Sequence, residues 1–409
     1  MSKRTPAERA QRLIRPLTDL LTRRRVAAPS RTSAERPGLR AAAFGFSTYN
    51  IGDDIQSYAA LARLPRLDAL IARDRMAIEA LDGPHLAIFN SWFKQGQDYR
   101  TPHPSIEPAL FGFALGADKL LTSAWKPWLA ARDPIGARDL DSAELLRATG
   151  LAADWVGCLT LFIGRGLPPV PEDQRRGVLI VDLPDEAIAA HVPARLREGA
   201  EVISNFLPPL TQGDPLMRYA ALARLLERLR TARLVITRRL HVALPCVGFG
   251  TPVVALPDRG ISNALRRFSG FRDFVPTAFL DDPASLAAID WDEVRPAVIP
   301  EPLVRAADRL ESDLAARFGM AAPQLKAPLY DGRPLTLRNP GLGPEPMTVT
   351  LSMRGVRRAC RADWWSTEAI ELELPWFSGV ERMMLDVSVT PRRSGAVRRI
   401  GALPDLLLR

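Results

Sequence analysis

The stretch Ala232-Arg-Leu-Val-Ile-Thr-Arg-Arg-Leu-His-Val-Ala-Leu-Pro-Cys-Val-Gly-Phe-Gly-Thr-Pro-Val-Val-Ala255 reads as strand, turn, helix and strand. Leu234, Val235 and Ile236 form a short apolar run with two β-branched residues, which suits a buried parallel strand. Thr237, Arg238 and Arg239 end it, and His241 to Val247 is a compact apolar segment that predicts a helix packed on a sheet. Gly248 to Pro252 breaks the helix, and Val253 to Ala255 restarts a buried strand. The polar residues therefore fall at the carboxyl end of a parallel strand and the amino end of a helix, where open α/β sheets bind ligands. A helix start also presents free N–H groups and a positive dipole end to an anion. Two arginines and a histidine there make a phosphate or carboxylate clamp beside a titratable group. A solvated turn with a satisfied histidine has the same spacing, so the stretch alone leaves both readings open.

Working outward, the same β-α alternation recurs on both sides. Gly177–Val181 and Glu201–Ser204 predict strands before this stretch, and a helix over Asp214–Leu229 leads into it. Helices are expected near Ile261–Phe268 and over Leu303–Phe318. Upstream, Ala41–Phe46 and His85–Phe89 read as strands, Pro102–Trp128 as a loop then a helix, and Ser142–Gly150 as a helix. Ala153–Thr160 reads as a closing strand, and the proline-rich Leu167–Asp173 as a linker. The expected fold class is α/β, with two Rossmann-like parallel-sheet domains over residues 39–170 and 175–325 and a cleft between them. After a Pro/Gly-rich loop, Met347–Met353, Ala369–Leu374 and Met384–Val389 alternate with period two, which predicts a small β-rich module over 345–409. Trp364, Trp365 and Trp376 would fill its core or bind a carbohydrate or partner.

The charge is uneven. The net charge is +9, yet residues 1–40 carry 11 Arg/Lys against 3 Asp/Glu, and residues 347–409 carry 10 Arg against 7 Asp/Glu. The centre is thus slightly acidic, which argues against a nucleic-acid groove. Residues 1–38 read as a basic amphipathic helix and linker, with Leu13, Leu17, Leu20 and Leu21 on one stripe. It would rest peripherally on an anionic membrane, pack on the core, or fray. No apolar run is long enough to span a bilayer, and no signal peptide is evident. Cys158, Cys246 and Cys360 lack CxxC or metal-site spacing, so neither a disulfide framework nor a metal is expected, and the expected location is the cytoplasm.

Five pieces together resemble the polysaccharide pyruvyl transferase family, in that family's order. They are Asn50-Ile-Gly-Asp53, Asn90-Ser-Trp-Phe93, Pro134-Ile-Gly-Ala-Arg-Asp139, Gly157-Cys-Leu-Thr160, and Val235-Ile-Thr-Arg-Arg-Leu-His241 followed by Gly250-Thr-Pro-Val253. The resemblance spans about residues 40–275. It implies a fold similar to B-type glycosyltransferases and transfer of a pyruvate ketal from phosphoenolpyruvate to two sugar hydroxyls, without a metal or a further cofactor. It also implies an acceptor that is a bacterial surface polysaccharide or its lipid-linked oligosaccharide precursor. By resemblance, Arg239 and Arg138 bind the donor's two anionic groups, and Leu240 lines the same place. His241 is the acid, and Asp53 is the base with Asp54 as its alternative. Asn50 orients the acceptor or the loop, and Asn90 binds substrate. Three positions depart from the family pattern: Ala137 replaces the more usual cysteine, Arg238 the usual serine, and Ala114 an expected histidine. The last leaves open an altered acceptor or altered activity. Two alternatives remain on the same fold, a nucleotide-sugar glycosyltransferase and a non-catalytic carbohydrate-binding relative.

Overall fold

The computed structural model describes residues 39–46, 48–65, 67–93, 100–116, 118–207, 215–260 and 263–319, and beyond them the backbone of strands between residues 335 and 403. The run Arg40–Gly45 is strand β1, buried through its middle. It lies between β2 (Ala69–Ala72) and β3 (His85–Ile88), and β5 (Ile106–Ala109) pairs with the far side of β3. All these pairings are parallel. A second parallel sheet continues the first unit, in the order β4 (Trp92–Phe93), β6 (Phe111–Leu115), β7 (Ile135–Ala137), β8 (Ala153–Trp155). Helices α1 (Ile51–Leu61), α2 (Trp125–Ala130) and α3 (Leu140–Ala148) connect these strands.

In the second unit, β9 (Arg176–Val181) is followed by the short helices α4 (Asp185–His191) and α5 (Ala194–Arg197), then by β10 (Glu201–Ile203). Helix α6 (Pro215–Thr231) returns the chain to β11 (Ala232–Thr237), and α7 (Leu240–Gly248) leads to β12 (Val253–Ala255). The strand order is β10-β9-β11-β12, again all parallel. The crossover direction reverses between β9 and β11, and in the first unit between β1 and β3. Those reversals are the switch points outside which α/β sheets bind ligands. The quoted stretch follows β11 and the Asn50–Asp53 stretch follows β1, so each unit contributes its own switch point.

Helices α8 (Ala264–Arg267), α9 (Pro283–Ala287) and α10 (Glu301–Arg317) complete the unit. The residues of α10 fall in the span read as the second domain, but its side chains reach the first. Leu303 is buried in one continuous core with Ile55, Leu161 and Val242. Where the units cross, Gly164 meets Gly248: a Cβ built on Gly164 would lie 2.2 Å from the Gly248 carbonyl oxygen, so only glycine lets the two backbones approach.

Several sequence readings change. Pro102–Trp128 holds β5 and β6 where a loop was expected, and the expected helix begins only at Trp125. All of β6 is buried, so it shows no alternation, and Gly112 interrupts its β-formers. The strand expected to reach Thr160 ends at Trp155, and Leu159–Phe162 is a 3-10 turn. β2 was not anticipated, being four residues with two alanines. The C-terminal module is antiparallel as expected. Its sheet runs β15 (Val356–Trp364), β14 (Glu345–Met353), β17 (Leu385–Pro391), β18 (Arg398–Leu403), with β13 (Leu335–Arg338) pairing β16 (Ala369–Leu372). β15 and β18 escaped the pattern because Arg357, Arg358, Arg398 and Arg399 fall in adjacent pairs that break the period of two. The N-terminal helix expected before residue 38, and Trp365 and Trp376, lie outside the described residues.

One buried ion network ties α10 to the first unit. Glu311 on α10 accepts from Arg63 Nε at 3.0 Å and from Arg165 Nη1 at 2.9 Å. Arg63 also donates to the Ala59 and Phe162 carbonyls. Burial lowers the Arg63 pKa to about 10 even though Glu311 opposes the shift. Removing one partner of such a pair strands the other charge, which costs on the order of 3–5 kcal/mol. Glu311→Ala is therefore expected to lower the unfolding free energy by about that amount. Arg305→Ala, which breaks an exposed pair with Glu301, should change it by about 0.5 kcal/mol or less. Urea unfolding checks both, and equal losses would contradict this account of α10.

Candidate active site

On the second unit, Asp182 directly follows β9 in a left-handed conformation, φ 58°. Its carboxylate accepts from Ser204 Oγ and the Asn205 N–H after β10, and from Arg239 Nε at 2.7 Å after β11. One carboxylate thus gathers the ends of three neighbouring strands. Arg239 also lies over the Phe206 ring, 4.5 Å from its centroid, while its backbone N–H donates to Thr237 Oγ1. With Nε and one face held, the guanidinium keeps its Nη groups, which donate to no described residue.

Arg239 is the N-cap of α7 but gives the helix no side-chain hydrogen bond. The first-turn N–H groups, including those of Leu240 and His241, therefore depend on a partner other than a side-chain cap. The Leu240 side chain is in the core, so only its backbone is available to a ligand. His241 is 3% exposed and departs from helical geometry, φ −82° and ψ 19°. The sequence supplies the cause. Pro245 stands four residues on, cannot donate to the His241 carbonyl, and crowds it with its ring.

On the first unit, α1 is brought almost into contact with His241. A Cβ on Gly52 would lie 3.2 Å from the His241 Cβ, 3.0 Å from Asn50 Oδ1 and 3.3 Å from Asn205 Nδ2. Asn50 caps α1 through Gly52 N–H and accepts from Asn205 Nδ2 at 2.8 Å, so its Oδ1 joins the two units. The two neighbouring aspartates diverge. Asp54 is buried and holds Arg218 of α6 through two hydrogen bonds, Nε to Oδ1 at 2.9 Å and Nη2 to Oδ2. Burial raises its pKa, and Arg218 opposes the shift. Asp53 has smaller partners, Thr48 Oγ1 at 2.8 Å and Gln56 Nε2 at 3.4 Å. Of the two carboxylates placed at the site from sequence, Asp53 makes no hydrogen bond or ion pair with an arginine among the described residues.

Arg138 ends β7 and is fully buried. Its Nη1 donates to Gln56 Oε1 and its Nη2 to Asp139 Oδ2, both at 3.3 Å, while Nε is buried without a partner. Asp139 in turn caps α3 through Ser142 N–H. Asn90 is buried beneath this layer. Its Nδ2 donates to the Gln56 carbonyl, and its Oδ1 accepts from the Leu159 N–H and the Cys158 thiol. Asn90 therefore braces α1 against the 3-10 turn. Ala114 is fully buried and pairs in register with Trp92.

The units thus bring Arg138, Arg239, His241 and Asp53 to one place. His241 Nε2 is buried and has no hydrogen-bond partner among the described residues. Burial lowers its pKa well below the ordinary value, and Arg138 and Arg267 push it further down. Sequence reasoning missed Arg267, Arg218, Asp182, Gln56 and Asn205. No local motif marks them; each acts through a partner distant in sequence.

No described helix is long and apolar enough to cross a membrane. No curated protein matches the chain. Among solved structures, the chain is similar to the glycotransferase of kitacinnamycin at 13% identity, over 69% of this chain and 96% of that one, with a TM-score of 0.29. It is similar also to the glycosyl transferase family 9 protein from Veillonella parvula DSM 2008 at 12% identity, over 69% of this chain and 100% of that one, with a TM-score of 0.21. The family model for polysaccharide pyruvyl transferase matches residues 50–258, a span that begins at the cap of α1, ends just past β12 and takes in both switch points. The chain belongs to the polysaccharide pyruvyl transferase family.

Proposed function

We propose that the protein transfers a pyruvate ketal from phosphoenolpyruvate to two hydroxyls of a sugar, on a surface polysaccharide or its lipid-linked precursor at the cytoplasmic face of the membrane. The observation that carries the reading is His241, with Nε2 buried and unpartnered, beside arginines from both units. A buried histidine among cations has no use for a second cation. It suits a ligand that brings negative charge and needs a proton.

Phosphoenolpyruvate is such a ligand. Its carboxylate and phosphate match arginines that each keep N–H groups for bidentate bonding. The donor's charge reverses the field at His241 and restores its affinity for a proton. His241 then protonates the methylene carbon, and the central carbon becomes electrophilic. A sugar hydroxyl adds there and loses its proton to Asp53. Phosphate leaves with its bridging oxygen, the central carbon is electrophilic again, and the second hydroxyl closes the ketal. Two hydroxyl protons are released; one restores His241 and the other leaves with phosphate.

Phosphoenolpyruvate should raise the melting temperature of the purified protein, because a ligand that binds only the folded state stabilises it. Arg239→Gln should weaken donor binding about 10- to 100-fold, the effect of losing a charge-assisted pair. His241→Gln should retain donor binding and lose turnover by about 10²- to 10⁴-fold. No stabilisation of the wild type by phosphoenolpyruvate would end this reading. Gly52→Ala, which crowds His241, should lower kcat by up to about 100-fold at little cost in melting temperature. Normal turnover in that variant would show that the close approach is immaterial.

The His241 shift has a sign in stability. Below the unfolded-state value of 6.5 the unfolded chain binds a proton that the folded, unliganded protein does not. Stability should therefore fall as pH drops from about 6.5 towards the lowered folded value. His241→Gln should lose less stability than the wild type between pH 7 and pH 5 in urea titrations. With phosphoenolpyruvate bound, calorimetry in buffers of different ionisation enthalpy should register proton uptake by the wild type and none by His241→Gln.

A further inference from the structure

Arg267 lies beyond the family match, on the four-residue helix α8 of the second unit. Its segment is docked on the first unit next to Arg138. The Ser269 carbonyl accepts from Leu140 N–H, and Ser269 Oγ accepts from Asp141 N–H at 2.9 Å. The Arg267 guanidinium lies 5.7 Å from the centre of the Trp92 ring. Its Nε is shielded from solvent and has no partner, as is also true of Arg138 Nε and His241 Nε2.

The other arginines have carboxylates: Arg138 has Asp139, Arg239 has Asp182, and Arg218 has Asp54. Arg267 has no ion pair among the described residues. Burial and the neighbouring Arg138 and Arg239 lower its pKa to about 10, while the carboxylates of Asp53 and Asp139 only partly offset this. A cation set among cations, with shielded donors that meet no acceptor, is a site arranged for an anion the protein itself does not supply.

We infer that Arg267 is a third anion-binding arginine of the donor site, holding the phosphoryl group together with Arg138. This rests on the donor reading above and adds to it. Phosphate carries up to two charges and several acceptor oxygens, so it suits two guanidinium groups better than one. Arg267 then contributes binding both before and after the carbon–oxygen bond breaks, so inorganic phosphate, the released product, uses it as well. Trp92, whose ring centre lies 5.7 Å from the Arg267 guanidinium, reports on the same event.

The test compares full-length wild type, Arg267→Gln, Arg267→Lys, Arg239→Gln and Arg266→Gln. Affinities for phosphoenolpyruvate and for inorganic phosphate are measured by calorimetry, and unliganded melting temperatures alongside. Arg267→Gln should weaken both ligands about 10- to 100-fold, with Arg267→Lys intermediate. Its unliganded melting temperature should be equal to or above wild type, because a repulsive charge has gone. A merely structural arginine would lower it. Arg266→Gln, which breaks only an exposed pair with Asp118, should leave both affinities unchanged. Wild-type binding that is weakened in Arg239→Gln but kept within twofold in Arg267→Gln would overturn the inference and leave the donor reading standing. Absence of phosphoenolpyruvate binding by the wild type would overturn both.

Discussion

The site depends on α1 being held against α6 and α7, and the buried pair of Asp54 with Arg218 does that holding. Two hydrogen bonds join carboxylate to guanidinium, and Arg218 also donates to the Thr48 carbonyl in the turn that precedes α1. Desolvating such a pair is expensive, and its Coulomb energy offsets the cost only when the geometry is good. The net contribution to stability is therefore modest, and the contribution to position is large. Nothing apolar would fix the α1 register so tightly, because hydrophobic contact is not directional. Asn50 and Asn205 add a second polar bond at the same seam, and residues on either side of it join through backbone, Ile51 N–H to the Asn205 carbonyl and Leu207 N–H to the Tyr49 carbonyl.

That seam explains why the chemistry is shared between units. Each unit has one reversal of strand order, and the loops there are the natural ligand-binding loops. One switch point alone offers a cap and a carboxylate, the other an arginine and a histidine. Joined, they bring Arg138, Arg239, Arg267 and His241 into one neighbourhood, in which Asp139 and Asp182 pair with two of the arginines and Arg267 has no ion pair among the described residues. Burial together with the neighbouring Arg138 and Arg267 holds the His241 pKa well below its ordinary value.

Much of this was legible in the sequence, and the pattern of success has physical reasons. Arg239 and His241 share one strand-turn-helix unit, so local spacing reveals them. Arg138 follows a short buried strand, and only the family resemblance singles it out. Asp53 and Asp54 were not separable, because residues one apart on a helix point about 100° apart and only the position of α6 decides which meets an arginine. Asn90 was assigned to ligand, but its amide serves the backbone of α1 and the 3-10 turn, a bond that no spacing predicts. Asp182 and Arg267 carry no motif at all. The buried strand β6 was hidden because a strand covered on both faces does not alternate.

The kink at His241 shows how far local physics can reach when it is followed. A proline inside an apolar helix is ordinarily a defect costing about 3 kcal/mol. Here Pro245 is the sixth residue of α7, close enough to its start that the disturbed carbonyl is the one belonging to His241. The distortion falls on the residue whose Cβ approaches Gly52 of the opposite unit, while Val242 and Ala243 N–H groups still bond the Arg239 carbonyl and keep the helix start intact. Gly52 then leaves room for that displaced turn at 3.2 Å. Proline on one unit and glycine on the other are thus complementary, one moving the histidine and the other receiving it. Backbone chemistry, no less than the charged side chains, sets the position of His241.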